Sequence, residues 1–283
     1  MIVRQWLRAA IAQLAGSESP KRDAEILLGF VTGKTRSWII AFDDSPLSPE
    51  QLSQLSLLLQ RRAGGEPVAY LTGQREFWSL SLTVSPDTLI PRPDTELLVE
   101  QALAHLPAEP VSVLDLGTGT GAVALAIASE RPDCQVMGVD RIAAAVSLAE
   151  INAQRLNIAN AQFKLSNWFS AVADEQFAMI VSNPPYIDEA DHHLRQGDVR
   201  FEPDSALVAG DNGLADIKLI AASAGEHLLP GGWLLLEHGW QQAEAVRKIL
   251  RENNFTRVAT CQDYGGNDRV TFAQKTEQGK ENG

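Results

Sequence analysis

Between residues 111 and 274, apolar runs of strand length alternate with runs of helix length, and this alternation limits the fold more than any other property of the chain. Strand patterns cover 111–116, 135–140, 161–165, 177–182, 232–237, 254–260 and 269–274. Helical patterns cover 121–130, 142–157, 213–228 and 240–252. Strands separated by helices cannot pair as hairpins. The sheet is therefore expected to be mainly parallel, with helices on both faces. Such sheets bind ligands where strands end, at their C-terminal edge.

Three segments of unusual chemistry fall on that edge. The strand Val113-Leu114-Asp115-Leu116 runs into Gly117-Thr118-Gly119-Thr120-Gly121 and then into the helix formers Ala122–Ala128. Glycine removes the Cβ that would hold a ligand away from the backbone. The spacing is G-x-G-x-G, whereas dinucleotide sites use G-x-G-x-x-G to bring a helix N-terminus against a pyrophosphate. A ligand without phosphates needs only a close backbone and a nearby carboxylate. Asp140 closes the next strand about twenty residues on, where a ribose diol is bound. An aspartate there can also simply cap the following helix.

The third segment, Asn183-Pro184-Pro185-Tyr186, follows the apolar run Phe177–Val181. Two prolines cannot donate ladder hydrogen bonds, and each holds the residue before it extended. A stiff turn carrying an amide acceptor beside an aromatic ring suits a flat group bearing an NH2, either a carboxamide or the exocyclic amine of a base. Taken alone, a Pro-Pro pair reads as a surface turn. Its position on the same edge as the glycine turn and Asp140 gives it chemical meaning.

This combination resembles class I S-adenosylmethionine-dependent methyltransferases that modify a planar nitrogen. Further segments narrow the likeness: Pro67-Val68-Ala69-Tyr70-Leu71-Thr72-Gly73 with Glu76-Phe77-Trp78, Leu89-Ile90-Pro91-Arg92-Pro93-Asp94-Thr95-Glu96, Phe201-Glu202-Pro203, and Asp263-Tyr264-Gly265-Gly266-Asn267-Asp268-Arg269. Together they are similar to the release factor glutamine N5-methyltransferases, over nearly the whole chain to about Phe272. The resemblance implies an α/β fold: a Rossmann-like seven-stranded methyltransferase sheet, mostly parallel with the last strand antiparallel, and a small N-terminal helical bundle domain. It also implies S-adenosyl-L-methionine as cofactor and peptide-chain release factors as protein substrate. The target is then the glutamine of their Gly-Gly-Gln loop.

The roles follow by position. Gly117, Thr118, Gly119, Thr120 and Gly121 line the methionine and ribose side, and Asp140 accepts from the ribose hydroxyls. Asp115 fixes the loop or meets the cofactor's amino group. Trp168 walls the adenine or merely fills the core, and Ser166-Asn167 departs from the acidic residue many class I enzymes place there. An amide nitrogen is a poor nucleophile because its lone pair is delocalised. The Asn183 side-chain oxygen and the Pro184 carbonyl would hold both N–H bonds, with Tyr186 packing on the amide plane, Pro185 also expected to meet the substrate and Asn183 also touching the cofactor. Orientation and electrostatics then do the work, and no catalytic base is assigned. Arg92, between two prolines, is expected to line the substrate entrance.

The N-terminal third carries separate helical signals. Val3, Trp6, Leu7, Ala10, Ile11 and Leu14 share one helical face. Ser19-Pro20 opens a second helix that Gly33 stops, and Ser48-Pro49 opens a third that ends at Gly64-Gly65. Expected boundaries are 1–73 for a helical substrate-recognition domain, 74–93 for a hairpin and linker, 94–276 for the methyltransferase domain and 277–283 for a flexible tail. The stretch 187–212 has the length of a lid or binding surface. Its His192-His193 pair lacks ligand spacing, so no metal is expected.

Charge bears on partners. The chain of 283 residues carries a net −12, with 9 Lys+Arg against 8 Asp+Glu in residues 1–80 and 15 against 28 in the remainder. An acidic catalytic portion repels phosphate backbones, so free nucleic acid is not expected as substrate. No run reaches membrane-spanning length, no signal sequence is evident, and two cysteines make no disulfide framework. A cytoplasmic monomer is expected. An adenine-N6 DNA or RNA methyltransferase stays as the enzymatic alternative, because the same tetrapeptide would serve it. A non-catalytic cofactor-binding module is another. A dehydrogenase fails on the glycine spacing.

Overall fold

A computed structural model describes residues 1–276, so the expected tail at 277–283 lies outside the described residues. The chain forms two compact units, Met1–Gln74 with Arg195–Phe201, and Arg75–Leu194 with Glu202 onward.

The first unit is helical: α1 (Val3–Gln13), α2 (Pro20–Thr32), α3 (Arg36–Ala41), α4 (Pro49–Ala63) and α5 (Val68–Thr72). Ser48 caps α4 by accepting from the Gln51 amide at 3.2 Å, while the Gln51 side chain accepts from Ser48 N–H. Gly33 ends α2 at φ +68°. Trp6, Leu27, Leu28, Ile39 and Leu55 form its core. Arg62 stitches the unit together. Its buried guanidinium reaches Asp23 and Asp198 at 2.7 Å each, along with the carbonyls of Gly65 and Glu66. Arg200 donates to the Gly64 carbonyl. Residues 195–201, expected to be part of one long lid or binding surface, group with the helical unit.

The second unit opens with the hairpin β1 (Gln74–Phe77) and β2 (Leu80–Thr83), followed by α6 (Glu96–His105). Then come β3 (Ser112–Leu116), α7 (Ala122–Glu130), β4 (Gln135–Asp140), α8 (Ala143–Leu156), β5 (Ala161–Leu165) and β6 (Phe177–Ser182). The one-turn α9 (Asp204–Leu207) and α10 (Gly210–Gly213) lead into α11 (Ala215–His227), β7 (Leu228–Glu237), α12 (Ala243–Glu252), β8 (Phe255–Gln262) and β9 (Asp268–Lys275). The sheet order is β5-β4-β3-β6-β7-β9-β8, with β9 antiparallel to both neighbours. The last strand is thus the reversed one, as expected.

Both faces of the sheet are covered. Val113, Val136, Met179, Val181 and Leu235 pack with α6 and α7 on one side; Leu114, Leu116, Ile180, Leu234 and Leu236 pack with α11 and α12 on the other. This two-sided burial explains why the strands read as near-continuous apolar runs. Register aligns their ends. Leu116 lies opposite Val139 and Ser182, Asp140 opposite Leu165, and Ser182 opposite Leu236. Gly117, Asp140, Ser166, Asn183 and Glu237 therefore leave or close their strands along one line. The order of connections reverses between β3 and β6, which is where an open α/β sheet leaves a crevice. Among the described residues no helix is long and apolar enough to cross a membrane.

Candidate active site

The crevice is an open-mouthed cavity with about 960 Å³ of empty space when the solvent at its mouth is included. Its walls include the glycine turn, Asp140, Trp168, Asn183 and Pro185. Four separate strand ends thus contribute to one space.

The glycine turn is held from below. Gly117 and Thr118 N–H both donate to the Val139 carbonyl at 2.9 Å. Thr118 Oγ1 donates to Asp115 Oδ2 at 2.7 Å, and the Ala124 amide donates to the same oxygen. Of the two roles expected for Asp115, the loop-fixing bonds are present. Burial pushes its carboxyl up to about 7, the nearby Asp140 charge adds to this, and the two donors oppose it. Gly117, Gly119 and Gly121 all have positive φ, between +54° and +81°. At Gly121 a Cβ would also press on Ala149, Leu125 and Phe163 at 3.1–3.2 Å.

Asp140 serves two backbone donors. Its Oδ2 accepts from Gly119 N–H at 3.0 Å, and its Oδ1 accepts from Ile142 N–H at 2.9 Å at the start of α8. The capping expected as an alternative is therefore present. Each carboxylate oxygen retains acceptor capacity toward the cavity. Trp168, at φ +50°, sets its ring 3.7 Å from where a Gly117 Cβ would stand. Ser166 is occupied internally: its hydroxyl donates to Trp168 O at 2.7 Å and accepts from Ala171 N–H.

The Asn-Pro-Pro-Tyr turn is braced on three sides. Asn183 Nδ2 donates to Thr95 Oγ1 at 3.2 Å, and none of the described residues donates to Asn183 Oδ1. The oxygen end is left to the cavity that Asn183 lines. Tyr186 Oη donates to Glu237 Oε1 at 3.3 Å, while Gln242 Nε2 donates to the Tyr186 carbonyl at 3.0 Å. Burial, then the Glu237 charge, raises the Tyr186 phenol above its ordinary pKa. Gly213 comes so near that a Cβ there would lie 2.0 Å from the Tyr186 carbonyl oxygen.

Not every expected residue meets the cavity. Pro184 and Tyr186 are not on its wall; the Tyr186 ring packs into the core beside α11. Arg92 also stands apart. Its guanidinium pairs with the fully buried Glu202 carboxylate, which in turn accepts from Ile90 N–H. The electrostatic reason is plain, since a buried carboxylate requires a paired cation. Asp191, His192 and His193 do bring three ligand atoms within 4.8 Å of one another, on an exposed turn. Cys134 and Cys261 are free.

Several wall residues lacked a sequence signal. Asp87 and Thr88 follow the hairpin, and Ser205 and Ala206 come from α9. Among the described residues of the wall, Asp87, Asp115 and Asp140 stand against one cation, Arg141. That balance favours a cationic ligand over a phosphate-bearing one.

A sheet of this order with its last strand reversed, opening onto a glycine turn, is the architecture of class I methyltransferases. Comparison with known proteins agrees. Residues 5–73 match the PrmC N-terminal domain and residues 93–199 the methyltransferase small domain. The chain is 62% identical to the release factor glutamine methyltransferase of Escherichia coli (strain K12), covering 97% of this chain and 99% of that one. It is 57% identical to the release factor glutamine methyltransferase of Vibrio cholerae, covering 96% of each. In fold it is similar to a methyltransferase structure from Pyrococcus furiosus, with TM-score 0.55 at 17% identity over 78% of this chain and 99% of that one. The chain belongs to the release factor glutamine methyltransferase family.

Proposed function

We propose that this enzyme transfers a methyl group from S-adenosyl-L-methionine to the side-chain amide nitrogen (N5) of the glutamine in the Gly-Gly-Gln motif of peptide-chain release factors, thereby tuning translation termination. The observation that carries this is the single-ended anchoring of Asn183: its nitrogen is spent on Thr95 and its oxygen faces the glycine-lined cavity.

The cavity suits the cofactor chemically. A Cβ at Gly119 would have Thr88 as its nearest neighbour at 4.0 Å, so its absence leaves open room against the backbone. Asp140 offers a carboxylate to a diol, and the acidic wall suits a molecule carrying an ammonium and a sulfonium. Gly117, Thr118, Gly119, Thr120 and Gly121 would hold its methionine and ribose portions, and Trp168 its adenine. Bound there, S-adenosylmethionine supplies an electrophilic methyl group.

The protein orients the acceptor. Asn183 Oδ1 and the Pro184 carbonyl would each take one N–H of the glutamine amide, turning its lone pair toward the methyl and disfavouring planar delocalisation. Water then takes the proton that the methylated nitrogen sheds. Pro185 forms wall, and Tyr186 braces the turn through Glu237. Arg92 supports the entrance through Glu202. Asn183 sits where cofactor and substrate would meet. Residues 1–73 form the part that recognises the release factor, 74–93 the hairpin and linker, and 94–276 the transferring part. The enzyme works as a cytoplasmic monomer.

Mass spectrometry of a release factor incubated with enzyme and cofactor tests the reading. One added methyl on the glutamine is expected. Label appearing in nucleic acid instead would transfer the assignment to the adenine-N6 alternative.

A further inference from the structure

One buried side chain, itself off the cavity wall, ties two parts of that wall together. Asn152 lies on α8 and is 0 % exposed. Its Oδ1 accepts from Thr83 N–H at 2.7 Å, while its Nδ2 donates to the Thr83 carbonyl at 3.0 Å and to the Thr120 carbonyl at 2.9 Å. Both N–H groups and the oxygen of the amide are thus engaged. Exchanging two bonds with one residue is what a neighbouring strand does in an antiparallel pair. Here a helix side chain does it at the end of β2, and Arg155 on the same helix also donates to Thr83 Oγ1.

The Thr120 carbonyl needs this donor. Thr120 is 2 % exposed and stands ahead of Gly121, the N-cap of α7. Its carbonyl therefore falls outside the helical ladder, which begins with Leu125 N–H donating to Gly121 O at 2.8 Å. The Ala124 amide turns to Asp115 instead, at 3.2 Å. Asn152 supplies the partner that a buried carbonyl requires. Helix α8 can come this close because Gly121 lacks a Cβ, which would press on Ala149 at 3.1 Å.

Thr83 leads to the other part of the wall. The chain beyond it runs to Asp87 and Thr88, which line the cavity, and Thr88 Cβ lies 4.0 Å from where a Gly119 Cβ would stand. One amide thus holds the glycine turn on one side and the root of the Asp87–Thr88 segment on the other.

We infer that Asn152 is a positioning residue that sets the glycine turn against the Asp87–Thr88 segment and so determines how tightly the cofactor is held. This deepens the cofactor assignment under Proposed function and rests on it. The Asn152 bonds go to Thr83 and Thr120 and not to the Asn183 turn, so its effect belongs to cofactor affinity rather than to orientation of the acceptor amide.

A purely structural amide would stabilise the unit and leave the affinity of the folded protein alone. Asn160 provides the comparison. Its Nδ2 donates to the carbonyls of Ala128 at 3.0 Å, Arg131 at 3.1 Å and Cys134 at 3.0 Å, at the other end of α7 and off the cavity wall. Asn152→Ala and Asn160→Ala should both lower the midpoint of urea unfolding, since each leaves buried carbonyls without donors. In calorimetric titration of the folded proteins, Asn152→Ala alone should weaken S-adenosylhomocysteine binding, by roughly 10–100-fold, the range for outer partners that orient a binding group. Asn152→Asp, which keeps the shape and the bond from Thr83 N–H but loses the NH2, should weaken it likewise. In methyl transfer the loss should appear in the cofactor KM rather than in kcat.

Hydrogen exchange reads the clamp without ligand. Segments 83–89 and 117–122 should both exchange faster in Asn152→Ala and keep wild-type rates in Asn160→Ala. An equal loss of affinity in Asn160→Ala, or loosening of only one of the two segments in Asn152→Ala, overturns the inference. A wild type that binds no S-adenosylhomocysteine overturns the cofactor reading and this inference with it. Binding by Asn152→Ala as tight as that of a binding-competent wild type sinks the inference alone.

Discussion

Asn183 separates polarity from shape at the scale of one residue. It is anchored to Thr95 by a single bond, and its surroundings do not depend on its oxygen. Asn183→Ala is therefore expected to leave the fold and its melting temperature intact. The lost acceptor should raise the barrier by on the order of 2.7–4 kcal/mol, by analogy with a removed oxyanion-hole donor. Steady-state kinetics beside a thermal melt checks this; wild-type turnover would remove the residue from the mechanism. Asp140 predicts a different pattern. Its two oxygens hold Gly119 and Ile142 N–H and face the cavity. Asp140→Ala should weaken S-adenosylhomocysteine binding by roughly 10–100-fold, the equivalent of one charged hydrogen bond at about 1.5–3 kcal/mol. Calorimetric titration reads it directly, and unchanged affinity would leave Asp140 as a cap alone.

At the scale of elements, strand β4 must pass close under the glycine turn. A Cβ on Gly138 would meet the Phe163 ring at 2.6 Å and Thr118 Oγ1 at 2.7 Å. Gly138→Ala forces that packing apart and should destabilise the unit by roughly 1–3 kcal/mol, as overpacking does. Urea unfolding should show the midpoint falling with the slope unchanged. Gly138, which no motif singled out, shows where sequence reading ran short. The glycine turn, Asp140 and Asn183-Pro184-Pro185-Tyr186 were legible because each is a contiguous segment ending an apolar strand. Thr95, Gln242 and Gly213 were not, since what makes them matter is contact across 88, 56 and 27 positions of chain. Glu237 carries a usable signal, a carboxyl directly after Leu234-Leu235-Leu236 at the strand end. The short α3, α5, α9 and α10 fall below the length at which periodicity speaks. The pairing of Arg92 with the buried Glu202 was not legible, because its partner lies far along the chain.

For the whole molecule, pH and salt act on stability through two separable causes. Asp115 and Glu237 are each raised by burial to about 7 from ordinary values of 3.8 and 4.5. Between those limits the folded chain binds more protons at these sites than the unfolded chain. Stability must then fall as pH rises from about 4 to 7, and level off above. The net charge of −12 pushes the same way, because ionising carboxylates adds to self-repulsion. Salt distinguishes them. Repulsion among exposed charges fades when the screening length shrinks to about 3 Å near 1 M, whereas a carboxylate desolvated in the core is screened far less. Unfolding of the wild type in urea at pH 5.5 and 8, with and without added salt, should retain a pH dependence on the order of a few kcal/mol at high salt. Asp115→Asn combined with Glu237→Gln should abolish that residue of pH dependence and leave the salt-sensitive part in place. If high salt alone erased the difference between the two pH values in wild type, the buried carboxyls would be ionised at no cost to the fold, and the interior beneath the cavity would have to be far better solvated than its packing indicates.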